Sequence, residues 1–411
     1  MVVFMTFAAC SVGARAQCTT ANSVGALRNA LIPSTGPAPY DKYMNGLQSN
    51  SASSSTSVAS VPVTISAALH MVHEVDAAKG TVTVFMTHRM SWLDGRLKYC
   101  TTSAVPYPKI KFDADFVDEI WTPEYAVPNQ ISTVQDPQSY ATVRGSDGMV
   151  YLDTTVGMKL ACTLDFKKMP YDSQTCAARV ALVQQKDILE LKLDDTLPEA
   201  FFLETGGMGG TKEWKISELS ATVGETLDNA TYVDFVFVID RSSDYWLTFT
   251  IGPSVFLVVM SYGTFWIQRG AVPARAAFSF ICFLSIISLS NGALAKLPSI
   301  GADDAFLLKL LSSCSIFCGL TVIEVVIANY MLHVEIRVTR ALTQAEEKKA
   351  RGDADFDIQA FVRARCAKLD ALFVASSGRL RFSDQHIDVL ARWAFPIAFG
   401  VTCVSLRASF V

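Results

Sequence analysis

Charge is scarce in this chain. Asp, Glu, Lys and Arg make up 18% of its 411 residues, against roughly 25% in a soluble domain. The formal net charge of −4 leaves no basic surplus, which argues against a nucleic-acid partner. Histidine is scarcer still, with 5 scattered residues. No pair of Cys-x-x-Cys motifs of the metal-binding kind stands in the polar part of the chain. G-x-S-x-G, H-E-x-x-H and a phosphate-binding glycine loop are missing too. These absences remove the common signatures of hydrolases, zinc peptidases and nucleotide-binding enzymes. No enzyme, metal or cofactor is indicated.

Apolar residues are abundant, at 50%, but unevenly placed. Up to about residue 240 the chain is polar and patterned for strands. Beyond that point stand runs at 246–267, 276–294, 309–332 and 387–406. Each is near the about 20 residues needed to cross a bilayer core of about 30 Å. The link 268–275 carries Arg269 and Arg275 and no acid, whereas the next link sets Lys296 beside Asp303 and Asp304. The positive-inside bias therefore puts the first link in the cytosol and the second outside, with both chain ends outside. Residues 1–16 form a short apolar run ending in Ala14-Arg15-Ala16, the pattern of a cleaved signal peptide.

Runs at 61–67, 81–86, 150–160 and 231–239 alternate or are apolar, with turn residues between them. Regular spacing of such runs predicts a β-sandwich. The serine-rich stretch 49–60 reads as a loop. Within the charged stretch 333–385, Phe361, Cys366, Leu369, Leu372 and Phe373 share helical spacing. Of 10 cysteines, Cys10 leaves with the signal, and Cys18, Cys100, Cys162 and Cys176 fall in the outer part, where disulfides are permitted. Cys18 with Cys100 is the expected second pair. Cys282, Cys314, Cys318, Cys366 and Cys403 are expected to be free thiols.

Particular motifs sharpen this outline. Cys162 and Cys176 bracket thirteen residues that include Asp165, Phe166, Met169, Pro170 and Asp172. Upstream lie Trp92-Leu93-Asp94-Gly95-Arg96-Leu97 and Trp121-Thr122-Pro123-Glu124; downstream come Arg241, Pro253, Pro273-Ala274-Arg275, Glu324, Asn329 and Ile387-Asp388. In content and order these resemble the Cys-loop receptor superfamily of pentameric ligand-gated ion channels, whose pore motif in the anion-selective branch that includes the GABA and glycine receptors is P-A-R. The resemblance covers most of the chain except the first sixty residues and the cytosolic stretch.

The resemblance implies an all-β, immunoglobulin-like sandwich outside the cell followed by four transmembrane helices in the plasma membrane. It implies a signal peptide over 1–16, a ligand-binding domain over 17–241, three helices within 242–332, a cytoplasmic loop over 333–385, and a fourth helix with a short tail over 386–411. It implies a Cys162–Cys176 disulfide, and a closed loop of this size is stabilised by about 3 kcal/mol. Cys162, Cys176, Pro170, Asp172, Arg241, Leu297 and Pro298 would couple ligand binding to the pore. The pore would be lined by Pro273, Ala274, Ala277, Ile281, Leu284, Ser288 and Asn291. Five Arg275 side chains would form a cytosolic ring favouring chloride, because charged rings set selectivity. The alternatives are a cation channel or a non-conducting accessory subunit.

The partners so implied are four identical or homologous subunits, the bilayer, a permeant ion and a small-molecule, amino-acid-like agonist. Its site is the least familiar part. Arg89 stands where GABA- and glycine-type subunits hold a ligand carboxylate, and His88, Trp121 and Tyr232 are the other candidate contacts. Val183 and Gln185 occupy places where the family has aromatic rings. Asn229-Ala230-Thr231 is an N-glycosylation sequon in the tip loop.

Overall fold

The computed structural model describes residues 19–33, 40–43, 60–204, 211–268, 270–295, 305–350 and 384–410. They divide into two units, and the division does not follow chain order. Residues 77–79 and the Cys-loop segment Leu164–Gln174 belong with everything from Asp240 onward.

The first unit is a β-sandwich. Its strands are β1 (Val61–Asp76), β2 (Thr81–Leu93), β3 (Lys109–Phe112), β4 (Tyr125–Ala126), β5 (Gln130–Arg144), β6 (Met149–Ala161), β7 (Ser173–Leu182), β8 (Leu189–Leu193), β9 (Phe201–Leu203), β10 (Trp214–Glu225) and β11 (Thr231–Arg241). One sheet runs β3-β5-β6-β2-β1-β8, with β9 also paired to β1; the other runs β10-β11-β7-β4. Alternation explains the layering. In β11, Val233, Phe235, Phe237 and Ile239 are buried, and the residues between them face outward. In β2 the inward set is Val82, Val84, Met86, His88, Met90 and Trp92. The predicted strands all exist and run longer than the apolar patterns alone suggested.

The W-x-D-x-R-L motif is a structural knot. Asp94 is fully buried and accepts from Arg96 Nε at 2.8 Å, Arg96 Nη2 at 2.7 Å and the Tyr40 hydroxyl at 2.9 Å. The Tyr40 hydroxyl in turn accepts from the Trp121 backbone N–H at 3.0 Å. Both Asp94 carboxylate oxygens are hydrogen-bonded, the condition on which a buried carboxylate is tolerated. Trp92 meets Trp121 edge to face at 5.7 Å.

The first unit also carries two short helices, α1 (Val24–Leu31) and α2 (Ala114–Glu119). Among the described residues, the second unit holds four helices long and apolar enough to cross a membrane: α3 (Asp244–Trp266), α4 (Val272–Leu294), α5 (Phe306–Ala350) and the span Asp388–Ala408 of α6 (Asp384–Phe410). Helix α5 does not end near residue 332, where the apolar run stops, but continues to Ala350. Pro253 falls just after a wide, π-type turn at Leu247–Ile251, so its missing N–H is absorbed where the ladder already changes register. Arg392 donates to the Phe265 carbonyl at the end of α3 at 2.8 and 3.0 Å and lies 4.6 Å above the Trp266 ring. Phe317, Phe395 and Phe399 stack edge to face beside it.

Candidate functional site

The Cys162–Cys176 disulfide is present. Within the loop it closes, Phe166 and Met169 are buried in one cluster with Trp246, Ala293, Leu307 and Leu311. The Phe306 amide donates to the Lys167 carbonyl at 2.9 Å. Asp172 accepts from Arg241 Nε at 2.7 Å, and both side chains are almost wholly buried. Asp172 is also held by Gln174. The loop is thus fixed to the starts of α3 and α5 by apolar packing and one buried ion pair. Leu297, Pro298, Asp303 and Asp304 lie outside the described residues. Among the described residues, Asp172 is an ionic partner of Arg241.

Helix α4 has two faces. Arg275, Ser279, Cys282, Ile286 and Ala293 are buried, and at 100° per residue they fall on one line. Pro273, Ala274, Ala277, Ile281, Leu284, Ser288 and Asn291 are exposed, with Leu284 at 64%. Pro273 sits in the first turn, where a missing N–H leaves no bond unmade.

Arg275 corrects the expectation of an exposed arginine ring. It lies in the helix rather than the link and is only 3% exposed. Its guanidinium donates to Asp388 at 2.9 and 3.2 Å and to Glu324 at 3.3 Å. Three helices thus meet in a buried triad of one base and two acids. The reason is arithmetic: nine residues separate Arg275 from Leu284, and nine steps of 100° put them on opposite sides of the helix. Glu324 at membrane depth faces protein, as an intramembrane acid should.

The four ligand candidates do not converge. Arg89 points outward from β2 and is already engaged, its Nε and Nη2 donating to Asp153 at 2.6 and 3.0 Å. His88, one residue earlier, points the other way into the core and bonds the Tyr125 hydroxyl at 2.8 Å. Trp121 is half-buried against Trp92. Tyr232 lies on the other sheet, with Arg179 over its ring at 4.2 Å. Val183 is exposed, as a ligand-facing position would be, but offers no ring. Sequence reading missed Asp153 and Arg179. The period-two pattern of β6 and β7 did carry both to the outward face; what it lacked was the cross-strand register.

Burial pushes the His88 imidazole from 6.5 down to about 4, with Asp153 acting in the opposite sense. The unfolded chain therefore binds this proton more readily than the folded one. The stability concerned is full above about pH 6.5 and is lost as pH falls toward about 4. Between about pH 7.5 and about pH 5, His88 alone should lower unfolding free energy by about 2 kcal/mol. Chemical denaturation of the wild type and His88→Gln at both pH values checks this: the variant should lack that part of the acid sensitivity.

Comparison with known proteins decides the family. The profile of the neurotransmitter-gated ion-channel ligand binding domain matches residues 39–243, and that of the neurotransmitter-gated ion-channel transmembrane region matches 250–355. The chain belongs to the neurotransmitter-gated ion-channel family. It is 27% identical over 290 residues to the gamma-aminobutyric acid receptor subunit rho-1 of Rattus norvegicus, covering 67% of this chain and 57% of that protein. It is 27% identical over 289 residues to the rho-2 subunit of Bos taurus, with 67% and 59% covered. To the rho-3 subunit of Rattus norvegicus it is 26% identical over 285 residues, with 67% and 60% covered. The chain thus matches less than two thirds of the length of these relatives.

A neurotransmitter-gated channel subunit is a receptor, not an enzyme. It is a multi-pass protein of the plasma membrane with its N-terminal domain outside the cell, in accord with the four apolar helices. Cys282, Cys314, Cys318 and Cys403 carry free thiols. Cys100 is disulfide-bonded, whereas its expected partner Cys18 lies outside the described residues, as do Cys366, the signal segment and the stripe at 358–374.

Proposed function

We propose that the chain is one subunit of a pentameric channel opened by an extracellular small molecule and selective for anions, chloride in particular. The observation that carries the reading is the exposed face of α4. It runs from Pro273 and Ala274 through Ala277, Ile281 and Leu284 to Ser288 and Asn291, and carries no acid. Five such faces around an axis make a path narrowed by the apolar Ile281 and Leu284 rings, which close by dewetting. The α4 N-terminus, at the cytosolic end, presents the positive end of the helix dipole, and the first turn carries no acidic residue of its own. Anion preference is assigned to this end and not to the Arg275 side chain. The relatives are named gamma-aminobutyric acid receptor subunits, which supports a small amine or amino acid as the agonist class. Asn229 is exposed at the β10–β11 tip, and we assign it a glycan.

The test is to express Leu284→Ser and record without agonist. A polar ring at this level wets the constriction, so current is expected with no ligand present. Diluting external chloride should then move the reversal potential by up to ~59 mV per tenfold, the limit for one elementary charge. A shift that follows sodium instead would make the pore cationic. Surface protein with no current in any ionic condition would favour an accessory subunit.

A further inference from the structure

Helix α5 carries an apolar seam in its cytosolic part. Val334, Val338, Ala341 and Ala345 are buried at successive steps of four, three and four, the spacing of a coiled-coil face. None of them is more than 6% exposed. The fourth helix does not reach this depth. Phe317 meets Phe395 and Phe399 of the antiparallel α6 at 5.2 and 5.1 Å. Asp384, where α6 begins, therefore stands about level with Tyr330, at 1.5 Å per residue. The seam runs from about 6 to about 22 Å beyond that level. The link between α3 and α4 does come this far, but Gln268 and Gly270 line a crevice with Leu332, Ile336 and Thr339. At 100° per residue those positions fall on the far side of the helix from the seam.

Residues 351–383 join Ala350 to Asp384 and lie outside the described residues. Their sequence repeats the seam. Val362, Cys366, Leu369 and Phe373 stand at the same steps of four, three and four. The two sets are mirror images about the point between Asp353 and Ala354. Ala345 and Val362, Ala341 and Cys366, Val338 and Leu369, and Val334 and Phe373 are pairwise equidistant from it. In each pair the α5 residue is the smaller, so the two faces can interdigitate at constant volume. Gly352 and Asp353, beside the mirror point, are turn residues. Lys348 and Lys349 close the last turn of α5, and Asp355 and Asp357 open the segment that follows. Each charge suits the helix end it would occupy. The return from Ala350 to the level of Tyr330 is about 30 Å, or about 20 residues of helix, and 351–383 is long enough to make it.

We propose that the α5 seam is a docking face for the chain's own segment 358–374, which returns antiparallel along it and sets Val362, Cys366, Leu369 and Phe373 against Ala345, Ala341, Val338 and Val334. The connection between the third and fourth spans is then a helical hairpin built on α5. Its seam is filled within the subunit and is not offered to a second copy or to a cytosolic partner. The inference goes beyond the channel reading and depends on neither ligand nor conduction.

Cys366 is native, so a single substitution supplies the second thiol. The full chain is purified in detergent, oxidised with copper phenanthroline, separated on a non-reducing gel and mapped by peptide mass spectrometry. Ala341→Cys is expected to give a peptide linked to Cys366 in the monomer band, and adding Cys366→Ser should abolish it. Thr343→Cys lies at nearly the same depth on the exposed side. It should give no link, because cysteines with Cα atoms more than about 7 Å apart are not bridged. Ala345→Cys with Val362→Cys, in a Cys366→Ser background, tests the neighbouring layer. Thermal melts confirm that each variant is folded, and if Ala341→Cys fails to fold, the second pair carries the test. A link found in the dimer band instead would mean that a second copy covers the seam, and it overturns the proposal. Equal linking at Ala341→Cys and Thr343→Cys, or no link in the folded variants, does the same.

Discussion

Replacing Arg275 with methionine should nearly abolish folded protein at the cell surface. The substitution leaves Glu324 and Asp388 facing each other in a buried place with no counter-charge. Removing one member of a buried ionic group costs about 3–5 kcal/mol, a large part of the stability of a typical domain. The companion variant separates charge from shape. Arg275→Met with Glu324→Leu and Asp388→Leu removes all three charges together, and well-packed apolar residues often replace such a group at little cost. Surface biotinylation should therefore show loss in the single variant and recovery in the triple. If the single variant reaches the surface at wild-type levels, the triad is not what holds α4, α5 and α6 at this depth.

The second large effect is expected at the Cys-loop. Arg241→Met leaves Asp172 buried beside Gln174 with its ionic partner gone, again at about 3–5 kcal/mol. Asp172 also accepts from Arg241 at a second oxygen, at 3.3 Å, and its backbone carbonyl takes the Arg241 amide at 3.1 Å. The two chain segments are thus laced at backbone and side chain together. Exchanging the charges, Asp172→Arg with Arg241→Asp, should recover part of the loss, because the backbone bond remains. Melting of the purified full chain in detergent reads both variants. Equal melting temperatures for wild type and Arg241→Met would remove the pair from the account.

Much of this architecture was legible in the sequence, because its period is short. The alternation in 231–239 specified β11, and the hydrophobic length of α4 specified a span. The Cys162–Cys176 loop announced itself by its internal Asp, Phe and Met-Pro. What failed to show was anything that needed two distant segments at once. Asp153 reads as an unremarkable strand residue until register places it opposite Arg89. Arg179 is likewise an outward strand residue until β7 lies beside β11. The Arg275 error had a different source. Nine residues separate Arg275 from Leu284 in the sequence itself, and a helical wheel drawn from that spacing puts the two on opposite faces without any coordinates. The extension of α5 to Ala350 was hidden because its last turns are largely polar and its buried positions, Val334, Val338, Ala341 and Ala345, keep helical spacing but are small.

The central claim is that the exposed face of α4 lines the ion path while the Arg275 face is packed within the subunit. Cysteine accessibility tests it most directly. In a Leu284→Ser background, single cysteines at Ala277, Ile281 and Ser288 are treated with a charged, water-soluble thiol reagent. Cysteines at Ser279 and Ile286 serve as the packed-face controls. The account predicts that the first set reacts and the ligand-free current changes, and that the second set does not. Block at Ser279 or Ile286 with silence at Ile281 and Ser288 would mean that the helix faces the pore the other way, and Arg275 with it.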